Sequence, residues 1–266
     1  MLKLEGRVTA TAVRGPWFVV TEAGNGSVAM SGIIVLNKPR DTSSAWYVYR
    51  LRPILEVRRI GHAGSLDPFA EGVLIACVDK ATRLAETLMD LPKHYEATVQ
   101  LGVTSASYDT EQPIEPYPDA REPTEEELRE AMRRFQGHIL QVPPAFSAIQ
   151  VGGVRAYNLA RGKESIEIKP RAVRVYSLQL REYAWPWLKF DVVCGRGTYI
   201  RALVRDIGEA LQCGGVCTEL RRVAVGPFDL SQAVGLRGMS REQLEERIIP
   251  REQVVEVLRA YKRRLE

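Results

Sequence analysis

The stretch Gly61-His62-Ala63-Gly64-Ser65-Leu66-Asp67-Pro68, followed by the run Gly72-Val73-Leu74-Ile75-Ala76-Cys77-Val78, decides how the rest of the chain is read. Asp-Pro favours a turn, and the residue before a proline is pushed out of the helical region. Gly61 and Gly64 lift steric limits, so the backbone can bend tightly and let a large substrate approach. The apolar run that follows has the length and composition of a buried strand. A rigid turn beside a sheet is where a catalytic carboxylate would be held, and Asp67 is the candidate. The same residues also fit a glycine-rich turn in which Asp67 caps its own backbone. His62, one of three histidines, is either structural or part of such a site.

A chain of 266 residues, 45% apolar and 26% charged, has the balance of a globular protein with one large or two ordinary domains. No apolar run approaches the roughly 18 residues needed to span a bilayer. Lys3, Glu5, Arg7 and Arg14 interrupt the amino-terminal region where a signal peptide would need an apolar core. The cysteines, Cys77, Cys194, Cys213 and Cys217, read as reduced cytosolic thiols, and Cys213-x3-Cys217 alone is a weak zinc signal. The net charge of +4 is modest, but between Val151 and Arg205 eleven basic residues face four acidic ones. That excess of +7 fits a face made for a polyanion. The acidic run Glu122 to Glu130 lies elsewhere, on an expected helix whose solvation explains it equally well.

Residues 1–29 alternate like strands around Gly24-Asn25-Gly26-Ser27 and form either a small hairpin or a leader ahead of a second possible start at Met30. Ile33–Leu36 is expected as a strand. Thr42-Ser43-Ser44 offers N-cap hydroxyls for a helix ending near Pro53. His94–Leu101 alternates as a half-buried strand, and Leu188–Cys194 as another. Thr124-Glu125-Glu126-Glu127 is a capping box ahead of the stripe Leu128, Met132, Phe135. Ile200, Leu203, Val204, Ile207 and Leu211 keep helical spacing, with Gly214-Gly215 available as a terminator.

Gly195-Arg196-Gly197-Thr198-Tyr199-Ile200-Arg201 joins a strand to that helix and sets Arg201 in its first turn. The helix dipole disfavours a cation there, so Arg201 calls for a carboxylate partner. Asp67 would serve and would be held ionised and oriented. Asp206 is the structural alternative. Tyr95 is either a core aromatic on its strand or a ring that stacks on an unpaired base.

Seven motifs in order carry a resemblance. They are Lys38-Pro39, Gly61-His62-x-Gly64-x-Leu66-Asp67-Pro68-x-Ala70-x-Gly72-Val73-Leu74, Lys93-x-Tyr95, Pro143-Pro144-x-x-Ser147-Ala148, Gly153-x-x-Ala156-Tyr157, Gly197-Thr198-Tyr199-Ile200-Arg201 and Leu220-Arg221-Arg222. Together they resemble the TruB family of tRNA pseudouridine synthases, which isomerise uridine 55 in the T-loop. The resemblance implies an α/β (α+β) pseudouridine synthase fold: a long, mixed, mostly antiparallel sheet with flanking helices and a central RNA-binding cleft. It implies Asp67 as catalytic aspartate (nucleophile or base), Arg201 as its ion-pair partner, and Tyr95, Tyr199, His62 and Lys38 as substrate-binding residues. Within that set Tyr95 stacks on the target base, His62 helps evert the nucleotide, and Lys38-Pro39 supports the catalytic turn.

The implied organisation is an extension over 1–29, a catalytic domain over 30–230 and a helical tail over 231–266, with no PUA domain. An insertion over about 147–171 resembles the mobile basic element that closes over the T-loop. The resemblance further implies the tRNA T-arm as partner and a cytoplasmic monomer that requires no protein partner; isomerisation, which neither gains nor loses atoms, is expected to need no cofactor or metal. Two positions depart from the family pattern: Asp41 replaces a glycine, which Asp tolerates in a left-handed turn, and Ala106 replaces an acidic residue while Asp109 remains. Rival readings are a guide-RNA-directed synthase of the dyskerin type, an inactive tRNA-folding chaperone, and a retaining glycosidase. The last needs a second carboxylate about 5 Å away, and no suitable second acid stands out.

Overall fold

The computed structural model describes residues 31–147, 150–151, 154–155 and 168–264. The extension over 1–29 and most of the 147–171 insertion therefore lie outside the described residues. The strands are β1 Gly32–Lys38, β2 Ile60–Ala63, β3 Glu71–Val78, β4 Lys93–Leu101, β5 Val103–Ser105, β6 Ile114–Pro116, β7 Gly137–Gln141, β8 Gln150–Val151, β9 Val154–Arg155, β10 Arg171–Ala184, β11 Trp187–Cys194, β12 Gly215–Val225, β13 Phe228–Asp229 and β14 Ile249–Pro250. The helices are α1 Ser44–Tyr49, α2 Leu51–Leu55, α3 Ala85–Met89, α4 Glu125–Arg134, α5 Ile200–Ala210, α6 Arg241–Glu245 and α7 Arg251–Arg263.

Ten strands form one sheet in the order β14-β1-β3-β12-β4-β11-β10-β7, with β13 beside β12 and β2 beside β3. All its pairings are antiparallel except β3–β12. This is the mixed, largely antiparallel sheet with flanking helices that the resemblance implies. Two apolar clusters cover its faces. Leu74, Ala76 and Val78 of β3 go to one, with α1, α2, α4 and α5. Val73, Ile75 and Cys77 go to the other, with the side of α7 that carries Val254. A strand buried on both faces reads as a continuous apolar run, which is why Gly72–Val78 stands out in the sequence.

One irregularity shapes the site. Along one edge, β3 pairs with β12 at Glu71 and Gly72 but with β2 from Ile75 to Val78. β2 and β12 thus share an edge of β3 and part at a fork, and residues 64–70 leave the sheet through that gap. Gly72 makes the close approach possible: its φ is +104°, and a Cβ there would meet the Arg222 carbonyl oxygen at 2.3 Å.

Several sequence expectations need correction. The helix after Ser43 does not run on to Pro53. It breaks at Arg50, and a second short helix places Pro53 in its first turn, where the missing N–H costs nothing. His62 is not beside a turn but on strand β2, opposite Ala76. The sharp bend belongs to Gly64 (φ +86°), whereas Gly61 lies in the strand with nothing within 4 Å of a Cβ. Helix α5 ends at Ala210, before the glycines, and the Gly214 N–H returns to the Gly208 carbonyl at 3.1 Å. Ser43 caps α1 through the Trp46 N–H, Thr124 and Glu127 close their capping box, and Asp41 takes the left-handed conformation (φ 58°), all as expected.

Candidate active site

The turn is held from several sides. Ser44, buried at the start of α1, accepts from the Leu66 N–H at 2.8 Å and donates to the Leu66 carbonyl at 2.9 Å. The turn closes on itself through Ala70 N–H to Asp67 carbonyl, 3.1 Å. Lys38 is fully buried, and its three ammonium protons meet three carbonyls: Pro39 at 2.9 Å, Thr42 at 2.7 Å and Pro68 at 3.1 Å. Burial lowers its pKa to about 8, against the raising effect of Asp67 and Asp41. With its donors used in this way, Lys38 supports the turn and is not available to a substrate.

Asp67 presents its carboxylate about one-third exposed, while the Arg201 side chain that grips it is 3% exposed. Arg201 donates from Nε to Asp67 Oδ2 at 2.8 Å and from Nη2 to Oδ1 at 2.9 Å, a two-point fork. Its remaining donors go to the Ser107 and Phe146 carbonyls, both at 3.0 Å. Asp206, the alternative partner, is taken by Arg205.

Behind Arg201 lies a second acid, Asp109, to which the sequence assigned no partner. Asp109 is wholly buried, and its Oδ2 lies 3.0 Å from Arg201 Nη1 as an ion-pair contact without an aligned hydrogen bond. Its Oδ1 accepts from the Ser107 hydroxyl and, at 2.8 Å, from the Glu111 N–H. Burial pushes its carboxyl above the usual range, with the Arg201 guanidinium pulling the other way. A second carboxylate therefore does stand here, but buried and engaged it has no access to a glycosidic bond.

Burial raises the pKa of Tyr95 and of Tyr199, and the Asp67 charge adds to the rise in each. Tyr95 is 8% exposed on β4, so it belongs to the core wall and to the site at once. Tyr199 sits half-buried at the N-cap of α5. Buried Gln141 fixes its backbone, accepting from its N–H at 2.8 Å and donating to its carbonyl at 3.1 Å. His62 has a pKa lowered by burial and then by the Arg222 charge, and its buried Nδ1 has no hydrogen-bond partner among the described residues.

Arg222 completes the frame. It is 1% exposed and donates to Val73 (2.7 Å), Gly64 (2.9 Å) and Ser65 (3.3 Å) carbonyls and to the Tyr95 hydroxyl at 3.4 Å. The Val73 carbonyl lies between the two ladders of the fork, where neither β2 nor β12 pairs with it, so Arg222 supplies the missing donor. In the sequence, Leu220-Arg221-Arg222 stands out as a motif but carries no sign of this role. Gln141 carries no spacing that would mark it, Ser44 is marked only as a possible helix cap, and Asp109 only as the remaining acid of a family pattern. Among the described residues no cluster of His, Cys, Asp and Glu is arranged to hold a metal ion, and no helix is long and apolar enough to cross a membrane.

The fold is similar to Cbf5 in the crystal structure of a Cbf5–Nop10–Gar1 complex, with a TM-score of 0.66 and 28% identity over 86% of this chain. The chain spans only 62% of that protein's length. The family matches define a pseudouridine synthase. Residues 52–200 match the model of the TruB family pseudouridylate synthase N-terminal domain, and 201–261 that of the tRNA pseudouridylate synthase B C-terminal domain. Curated relatives include tRNA pseudouridine synthase B of Stutzerimonas stutzeri (strain A1501), 44% identical over 213 residues, 80% of this chain and 69% of the relative. That of Syntrophus aciditrophicus (strain SB) is 44% identical over 227 residues, 83% of this chain and 72% of the relative. The chain belongs to the TruB family.

Proposed function

We propose that this enzyme isomerises uridine 55 in the T-loop of tRNA to pseudouridine, acting alone as a monomer on the flipped nucleotide. One observation carries the reading: a carboxylate on a rigid turn, about one-third exposed and gripped at both oxygens by a buried arginine. Such a group stays oriented while it serves as nucleophile at the ribose or base, or as the base that deprotonates the sugar. Flipping exposes the glycosidic carbon to Asp67. Tyr95 and Tyr199 would then flank the extruded base. The relatives' names support tRNA as the substrate.

The test is to incubate the protein alone with unmodified tRNA and to map pseudouridine. Formation at position 55 without guide RNA or partner protein supports the reading. Absence of product unless a guide is added would favour the guide-directed alternative. Asp67→Asn keeps the shape and removes the charge, so it should bind RNA and lose turnover by about a thousandfold or more. Substantial product from that variant would remove Asp67 from the chemistry.

A further inference from the structure

We propose that Arg222 is a positioning residue for Tyr95, tying its phenol to the backbone of the turn that carries Asp67. The proposal rests on the isomerase reading and assigns a role within that site.

Arg222 and Tyr95 are cross-strand neighbours on β12 and β4, and the register of that pairing slips between Arg222 and Ala224. Such a slip re-aims side chains locally. It coincides with an arginine that is 1% exposed in a strand whose neighbours Arg221 and Glu219 face solvent. Plugging the fork accounts for its bonds to Val73, Gly64 and Ser65, but not for the bond from Nη1 to the Tyr95 oxygen. The guanidinium carbon also lies 5.9 Å from the Tyr95 ring centre. At 3.4 Å the phenol bond is the longest of the four.

Two chemical consequences follow. Arg222 can only donate, so the phenol oxygen accepts from it. The phenol's own proton has no acceptor among the described residues, and it is left for a group entering the cleft. Burial keeps Tyr95 in that protonated form, and the Arg222 charge limits how far its pKa rises. One buried cation thus sets both the place of the turn and the polarity of the phenol facing it.

The experiment is a double-mutant cycle on single-turnover pseudouridine formation with a T-arm stem-loop. It uses wild type, Arg222→Lys, Tyr95→Phe and the double variant, each checked for folding by circular dichroism. Lysine keeps the charge and can reach a carbonyl, but it cannot span carbonyls and phenol together. Arg222→Lys should lower the rate by roughly tenfold or more with RNA affinity within about twofold. In the Tyr95→Phe background the same change should cost no more than about threefold. An equal loss in both backgrounds, or a loss that tracks melting temperature alone, overturns the proposal.

A second arm needs no RNA. The carbon-13 shift of Tyr95 Cζ, assigned by its disappearance in Tyr95→Phe, should move in Arg222→Lys, and an unmoved signal overturns the proposal. Should Arg222→Lys not fold, the nitrogen-15 shifts of the Arg222 guanidinium in Tyr95→Phe decide the matter: movement supports the contact and constancy refutes it. If wild type makes no pseudouridine, the isomerase reading fails while these spectra still test the contact.

Discussion

Arg201 shows how a residue reading can be right about one partner and blind to another. A cation in the first turn of a helix called for a carboxylate, and Asp67 answers. Asp109 answers too, from a segment noted only for Ala106 in place of one acid while Asp109 remained. The pair makes a pH prediction. Burial already raises the Asp109 carboxyl, so its contribution to stability is present below the unfolded value of 3.8 and is lost as pH rises through the folded value. Arg201 limits that loss. In Arg201→Met the carboxyl rises further, so the stability gap between wild type and variant should widen as pH rises. It should reach about 3–5 kcal/mol at pH 7 and shrink on acidification toward 3.8. Denaturant unfolding at both ends of that range checks it, and a gap independent of pH would show that Asp109 does not depend on Arg201.

Among the elements, the apolar and alternating strands β1, β3, β4 and β11 were legible because their periodicity matches their burial. β12 was not. Its buried face carries Arg222, a charge where the pattern demands an apolar residue, so the central strand that makes the fork was hidden. The pairing of Asp67 with Arg201 could be read. Most of its supports could not, because Lys38, Ser44 and Gln141 act on backbone carbonyls and amides that no side-chain pattern announces, and Lys38 alone was flagged, through the resemblance. Two glycines separate fold from function here. Gly72→Ala would drive a methyl into the β12 backbone at a positive φ and should cost about 3 kcal/mol or more, measured by thermal or denaturant unfolding. Gly61→Ala meets nothing. It should leave the melting temperature within about 2 °C yet lower kcat/KM by roughly tenfold if RNA passes over that strand. Equal activity would place the RNA elsewhere.

Charge is a property of the whole molecule, and its excess over residues 151–205 points to phosphate contacts. Replacing Arg155, Arg161 and Lys163 with glutamine should flatten the salt dependence of tRNA binding by about one unit of slope for each phosphate these side chains neutralise. An unchanged slope would take these three away from the RNA. The clasps on the catalytic turn have a further consequence, for the making of the protein. Two are near in sequence, Ser44 to Leu66 across 22 positions and Lys38 to Pro68 across 30. Two are remote, Arg201 to Asp67 across 134 and Arg222 to Gly64 across 158. Short loops close early and long ones late, and a chain on the ribosome can use only what has emerged. A nascent chain can therefore shape the turn while Asp67 is still a bare anion that repels RNA. The cation that grips it arrives 134 positions after it, so the shape of the turn can precede the pairing of its carboxylate.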